Sequence, residues 1–294
     1  MSTRTHAPPR TVDRVPDAAA SRRRRRSFLW VALAAPVLLV GVGWAGLQVE
    51  PRPLPAAAAP MPADARTVPL PGGLPAPVER FYRTLYGERV PVVESAVISG
   101  RGTMRISGIT FPARFRFSHV TGSDYRHYIE TTIFGAPVFR VDEWFTGGSA
   151  RLKLPFGEAT GPKVDQGANL ALWAEAVWMP SVWVTDPQAS WQPVDDTTAR
   201  LLVPFGEGTE TFTVTFDAKT GLLRRMESMR FKSESSTKTL WINEVDEWGE
   251  VDGHAVPLAT SVRWADEGTP WAKLRTESVL YGADLSRYVR ASGP

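Results

Sequence analysis

The 294-residue chain contains no cysteine. That absence excludes a disulfide framework, thiol redox chemistry, a cysteine nucleophile, a lipid-modified cysteine anchor and any thiolate metal site. Histidine is scarce too: there are four, one of them (His6) in a basic N-terminal stretch. His119 and His127 stand on separate expected strands and His254 is remote, so no close pair of ligands supports a metal site. No Gly-x-Ser-x-Gly elbow, phosphate-binding loop, His-Glu-x-x-His or dinucleotide glycine pattern occurs. The sequence therefore predicts no catalytic residue, no metal and no cofactor, and an enzyme is not the expected reading.

Basic residues are rare where a nucleic-acid binder would need them. Residues 1–27 hold eight Arg against Asp13 and Asp17, a local net charge of +6, so the chain from Phe28 onward carries −3. A nucleic-acid-binding domain carries its basic stripe on the folded part, and that class is set aside.

Charge is missing altogether from Phe28 to Leu47, a run of twenty residues, FLWVALAAPVLLVGVGWAGL. As a helix it would span roughly 30 Å, the thickness of a bilayer's hydrocarbon core. Trp30 and Trp44 fall near its two ends, where indole rings favour the interface. Arg22–Arg26 precede it and orient residues 1–27 toward the cytoplasm. The expectation is a single-pass anchor with the remainder of the chain outside. The alternative is export followed by cleavage, since Arg25-Arg26-Ser27-Phe28-Leu29 resembles a twin-arginine signal. Signal cores are usually about 7–15 residues, shorter than this run.

From Gln48 to Pro77 branched and aromatic residues are sparse, and nine Pro and seven Ala dominate. Such a segment buries too little surface to offset its ordering entropy, and it is read as a linker. An extracytoplasmic domain is expected over residues 78–290. It opens with an amphipathic helix in which Val78, Phe81, Tyr82 and Leu85 share one face, bounded by Pro77 and Gly87. The period then becomes two: Phe111, Ala113, Phe115 and Phe117 alternate with polar partners, as do Glu210, Phe212, Val214 and Phe216. Some ten strands joined by short Gly-containing turns predict an antiparallel meander. A second helix is expected from about Val164 to Met179, ended by Pro180, with an apolar stripe through Leu170, Trp173, Ala174, Val177 and Trp178. Ala150–Glu158 returns as Ala199–Glu207 with seven of nine residues identical; this reads as two strands ending in a similar Pro-Phe-Gly turn. The fold expected is α+β: one large, half-barrel-like antiparallel sheet with two helices on its concave face, preceded by one transmembrane helix.

Such a fold leaves an apolar cleft between helix and sheet, and Trp173, Val177, Trp178 and Trp183 are the candidate ligand contacts. Each indole joins a large apolar area to one N–H donor. Glu175 falls at the margin of the stripe; if shielded, its pKa would rise and it would serve as a general acid or polar anchor. Arg225 and Glu227 would share the face of Leu223, Met229 and Phe231 if that strand is regular, placing an ion pair where a headgroup would bind. His119 continues the phase of Phe111–Phe117 and reads as a hydrogen-bonded core imidazole.

Leu154-Pro155-Phe156-Gly157, Gln166-Gly167, Trp173-Ala174-Glu175-Ala176-Val177-Trp178-Met179-Pro180-Ser181, Gly253-His254-Ala255-Val256-Pro257 and Trp264 together resemble a bacterial family of unknown function, domain of unknown function 6544, over roughly residues 78–290. The family brings no assigned catalytic residues. The helix-on-curved-sheet pattern is more loosely similar to periplasmic lipoprotein carriers of the lipoprotein-localisation type, which bind acyl chains between sheet and helices. This resemblance implies a lipid or acyl ligand; the competing reading is a non-catalytic cell-envelope partner domain with a filled cleft.

Overall fold

Alternating sequences joined by tight turns pair with their immediate neighbours, because a two-residue turn can close only an antiparallel hairpin. The computed structural model, which describes residues 38–57, 66–154, 157–285 and 287–289, is built largely this way. Thirteen antiparallel strands form one sheet: β3 (Ser95–Ile106), β4 (Ile109–Val120), β5 (Asp124–Ile133), β6 (Ala136–Thr146), β7 (Ser149–Leu154), β8 (Gly157–Ala159), β9 (Ser190–Pro193), β10 (Thr198–Phe205), β11 (Gly208–Phe216), β12 (Leu223–Phe231), β13 (Lys238–Val251), β14 (His254–Trp264) and β15 (Ala272–Tyr281). Their spatial order is β8-β7-β6-β5-β4-β3-β15-β14-β13-β12-β11-β10-β9. Two consecutive meanders thus meet where β3 pairs with β15. A separate ribbon pairs β1 (Thr67–Pro69) with β2 (Arg89–Pro91).

Among the described residues of the unit that holds the sheet there are three α-helices: α1 (Ala76–Tyr86), α2 (Pro162–Glu175) and the single turn α3 (Val182–Thr185). In α1, Val78, Phe81 and Tyr82 are buried, and Gly87 ends the helix at φ 72° with its N–H donating to the Arg83 carbonyl, as the sequence predicts. The second expected helix ends earlier than predicted. It is α-helical to Glu175 and continues as a 3₁₀ turn over Ala176–Trp178.

The surroundings of α2 also differ from the expected single stripe. Every residue from Gln166 to Ala174 is buried, because α2 packs against β6 and β7 and also against β10 and β12. Strands β7 and β12 stand eight places apart in the sheet, roughly 38 Å if it were flat at ~4.8 Å per strand. A helix only about 10–12 Å across touches both, so the sheet curls around it. The two copies of the repeated segment flank this helix. Asp165 accepts a hydrogen bond from the Ala150 amide at 2.6 Å, and Asn169 donates to the Pro204 carbonyl at 2.9 Å.

Strand β3 was the element least visible in the sequence. Gly100 and Gly102 interrupt its pattern, and the structure accounts for both: a Cβ on either would lie 2.0 Å from a β15 carbonyl oxygen, of Arg275 and Lys273 respectively. Both faces of β4 are largely buried. Its inner face meets the core, and its outer face is partly covered by the chain leading into the domain. Arg114 donates to the Arg52 carbonyl at 3.1 Å and Arg116 to that of Pro55, while Arg101 pairs with Glu50 at 3.0 Å. The first part of the stretch read as a linker is therefore docked along β3 and β4 rather than free.

Residues 38–46 are helical, and the chain divides into two compact units, Met1–Ala45 and Gly46–Pro294. Among the described residues no helix is long and apolar enough to cross a membrane. The expected basic tail and residues 28–37 of the expected span lie outside the described residues.

Trp183 is fully buried, donates Nε1–H to the Trp173 carbonyl at 2.9 Å and packs edge-on to Trp191. Trp183→Ala is expected to cost ~3–5 kcal/mol of stability, read as a shift in urea midpoint. A loss below about 1 kcal/mol would show that this indole does not hold α3 to the core.

Candidate functional site

Where α2 ends, the Trp173–Ser181 segment is fastened from several directions. Trp178 donates Nε1–H to Thr276 Oγ1 at 3.0 Å, Tyr281 donates its hydroxyl to the Trp178 carbonyl, and Tyr82 donates to the Pro180 carbonyl at 2.6 Å. Between this segment and the sheet is a cavity of about 330 Å³. Its wall is mostly apolar, with Met104, Phe117, Ile129, Ala174, Val177 and Trp178 among the lining side chains. Its polar lining includes the group His127, Glu143, Glu175 and Arg230, together with Lys232, Ser233, Asn243, Glu244, Thr260 and Ser261.

The register of β4 and β5 positions His127 within that group. Phe117 pairs with His127 and His119 with Tyr125, so the two histidines are diagonal neighbours on one face, where long side chains reach each other. Their ring centroids are 5.9 Å apart. The His127 ring is clamped by Tyr125, stacked at 4.0 Å, and by Phe117 at 4.4 Å. Glu175, the last residue of α2, reaches both imidazoles with one oxygen. Oε2 lies 2.5 Å from His127 Nε2 and 3.0 Å from His119 Nε2. On the other side of the His127 ring, Nδ1 is 3.4 Å from Glu143 Oε2, and Tyr125 donates its hydroxyl to Glu143 Oε1 at 2.7 Å. His119 is fully buried, and neither of its ring nitrogens has a hydrogen-bond partner among the described residues; its approach to Glu175 is close but off the bonding direction.

Burial and charge compete in this cluster. Burial alone would lower the His127 pKa, yet Glu175 and Glu143 outweigh it and raise it from 6.5 to about 9. Burial would raise Glu175, as the sequence reading supposed, but His127 and His119 reverse the sign and hold it at about 2. Glu175 is thus an ionised partner of two imidazoles, not a shielded acid. His119 is pushed down by burial despite the carboxylate, and burial also lowers Arg230.

Arg230 reaches the cavity because β12 carries a bulge. Phe216 pairs with Leu223 but Thr215 with Arg225, so Arg224 is the extra residue. From there the phase flips: Met226 is buried inward, Arg230 lines the cavity, and Met229 is exposed. Arg225 and Glu227 pair at 2.5 Å, and neither lines the cavity. The regular-strand expectation for this pair is corrected accordingly. Arg230 stacks 4.3 Å from the Trp241 ring, and its Nε would lie 3.1 Å from a Cβ on Gly167. A glycine inside α2 leaves room for that guanidinium.

Of the residues singled out in the sequence, Glu175, Val177 and Trp178 line the cavity, whereas Trp173 and Trp183 are almost wholly buried and do not. His119, His127, Glu143 and Arg230 were missed as a group. A β4–β5 hairpin register drawn from the alternating pattern would have paired the two histidines; nothing local ties them to Glu175. His254 lies apart from this cluster and packs against the Tyr281 ring, with centroids 4.3 Å apart and planes tilted by 38°.

These features define an α+β domain in which a curled antiparallel sheet encloses a buried helix and a mostly apolar cavity whose wall carries a histidine–carboxylate cluster. The chain belongs to a family of unknown function (DUF6544), whose model matches residues 65–274. No curated protein matches it. Among solved structures it is similar to a DUF1329 family protein from Desulfovibrio piger, at 12% identity over 66% of this chain and 88% of that one, with a TM-score of 0.40. A LolA superfamily protein from Nitrosomonas europaea matches at 9% identity over 69% and 91%, TM-score 0.41. A domain described as an outer membrane lipoprotein-sorting protein, from Vibrio parahaemolyticus, matches at 8% identity over 72% and 91%, TM-score 0.38.

The shifts give a signed pH dependence for protein kept in chelator. The His127 contribution is complete below about pH 6.5 and is lost as pH rises through about 9. The Glu175 contribution is complete above 4.5 and is lost as pH falls toward about 2. His119, held neutral, subtracts stability as pH falls below 6.5. Thermal unfolding is therefore expected to peak near about pH 6.5 and decline on both sides, and Glu175→Gln is expected to flatten the alkaline decline. A wild-type melting temperature that is constant between pH 6.5 and 9 would contradict the pairing.

Proposed function

We propose that the folded unit binds a single-chain amphiphile, a long-chain fatty acid or a ligand of similar shape, in the cavity between α2 and the sheet. The observation that carries this reading is the cavity itself: about 330 Å³, walled mainly by apolar side chains with a few charged groups among them. Sites for small ligands are concave and mostly apolar, with a few placed polar groups, and run to about 300–1,000 Å³. The volume lies at the low end of that range, which favours one acyl chain over a multi-chain lipid. Arg230 supplies a cationic group at the cavity wall whose Nε has no hydrogen-bond partner among the described residues. It is the group assigned to an anionic head.

In the same proposal, residues 28–47 anchor the chain in a membrane, with residues 1–27 cytoplasmic and the folded unit outside. Export with cleavage gives the folded unit the same location. The apolar run supports an anchor by its length, and the five consecutive Arg before it support the orientation. The competing role, a partner domain with a filled cleft, is disfavoured by the space beneath Val177 and Trp178.

The test uses protein lacking residues 1–45, which keeps the whole unit Gly46–Pro294. Saturable one-to-one uptake of a fluorescent long-chain fatty acid is expected, with co-purified lipid visible by native mass spectrometry. Ala174→Trp, which fills the cavity, should weaken uptake at least about tenfold. Arg230→Gln should weaken binding of the acid more than that of the corresponding alcohol. No uptake by the wild-type unit, or uptake indifferent to Ala174→Trp, would overturn the reading.

A further inference from the structure

We infer that His119 Nε2, His127 Nε2 and Glu175 Oε2 form a binding site for one divalent first-row transition ion, with Zn²⁺ the best-suited probe. All three donor atoms lie within 4.8 Å of one another. Two imidazole nitrogens and one carboxylate oxygen are a donor set that suits Zn²⁺ and its neighbours rather than Mg²⁺ or Ca²⁺, which take oxygen ligands.

Three observations point to an ion rather than to a hydrogen-bonded trio. The first is His119. A pair between His127 and Glu175 satisfies those two residues, but it leaves His119 fully buried with no well-directed hydrogen bond at either ring nitrogen among the described residues, its Nε2 facing the same carboxylate oxygen from 3.0 Å. Buried polar groups are normally satisfied, and each exception calls for an explanation. An ion at the focus of the three donors would take the Nε2 lone pair that nothing else uses.

The second is convergence. A carboxylate shared by two imidazoles as a hydrogen-bond acceptor can use both of its oxygens. Here the same atom, Oε2, faces both Nε2 atoms, at 2.5 and 3.0 Å. Around a tetrahedral ion at ~2.0–2.1 Å the donors stand roughly 3.3 Å apart. The two carboxylate–imidazole gaps fall short of that spacing by under about 1 Å, and with all three donors within 4.8 Å of one another metal uptake draws the two imidazoles together as it opens the carboxylate.

The third is the layer behind the donors. His127 turns Nδ1 toward Glu143 Oε2 at 3.4 Å, and Glu143 is fixed in turn by the Tyr125 hydroxyl. A ligating imidazole whose other nitrogen faces a carboxylate is the usual arrangement around protein-bound metals, because that partner fixes the tautomer and the ring direction. His127 and Glu175 also line the cavity, so the donor cluster borders a space from which a fourth ligand can come, as in zinc sites that keep one position open.

The test uses the full-length chain, purified in detergent, stripped with chelator and returned to metal-free buffer. Wild-type protein is expected to take up one equivalent of Zn²⁺ by elemental analysis. Co²⁺ should produce visible d–d absorption that Zn²⁺ abolishes. His119→Ala and Glu175→Gln should each weaken Co²⁺ binding at least tenfold, Glu143→Gln about 10–100-fold, and His254→Ala should leave it unchanged. No stoichiometric uptake by the wild type overturns the site, a result that does not depend on any variant folding. Uptake equal in the wild type, His119→Ala and Glu175→Gln, with circular dichroism unchanged, also overturns it, since the ion would then be held elsewhere. Because the probes are bare ions, failure here leaves fatty-acid uptake by Gly46–Pro294 to stand or fall separately.

Discussion

A carboxylate at the end of a buried helix has to bring its countercharges with it. Glu175 closes α2 inside a sheet that wraps the helix on several sides, and an isolated ion there would cost several kcal/mol. Two imidazoles from the β4–β5 hairpin meet it. The helix macrodipole offers no relief at this end, because a helix C-terminus is itself partially negative. The ionised state of Glu175 therefore depends on the hairpin register that brings Phe117 opposite His127 and His119 opposite Tyr125. A slip of one residue would turn both rings to the other face and leave the acid unpaired, so register and charge constrain each other.

The same constraint organises the rest of the interior. The sheet has to curl far enough for β7 and β12 to reach one helix, yet not so far that the space under Val177 and Trp178 closes. Trp178 is too large to withdraw and is hydrogen-bonded to β15 through Thr276. It acts as a spacer between the 3₁₀ turn and the sheet. On the opposite wall, the bulge at Arg224 turns Arg230 inward, where indole stacking and the absence of a side chain on Gly167 accommodate a cation. Both departures from regular geometry, the bulge and the helix-internal glycine, serve one guanidinium.

Most strands were legible in the sequence because period-two alternation and Gly-containing turns are local signals, and α1 was legible through its stripe and its bounding Pro77 and Gly87. Strand β3 was not, because its Gly100 and Gly102 answer to the carbonyls of β15, some 170 residues away in the chain. The stripe on α2 was read too narrowly for a related reason: a helix enclosed by a curled sheet is buried nearly all round, and enclosure is a property of topology. Glu175 was recognised as unusual, but the sign of its shift was not. Burial can be guessed from a stripe, whereas the two opposing imidazoles come from a hairpin about fifty residues earlier. Arg225 and Glu227 failed as inward residues because one inserted residue reverses every side chain beyond it.

The histidine–carboxylate cluster and the apolar cavity follow from a single geometric fact. A curled sheet presents its inner face on several sides, so residues from β4, β5, β6 and β12 converge although they are distant in sequence. Most such positions are filled by apolar side chains, which bring no directional requirement of their own. Several are not, and among them His119, His127, Glu143 and Arg230 require partners or countercharges, each costly to bury alone. A core under selection for stability alone would do as well with apolar residues of similar volume, since replacing buried ion pairs in that way is often neutral or stabilising. The clustering of His119, His127 and Glu143 around the carboxylate that ends the helix, beside a cavity that Arg230 also lines, is the arrangement expected where the interior has something to hold.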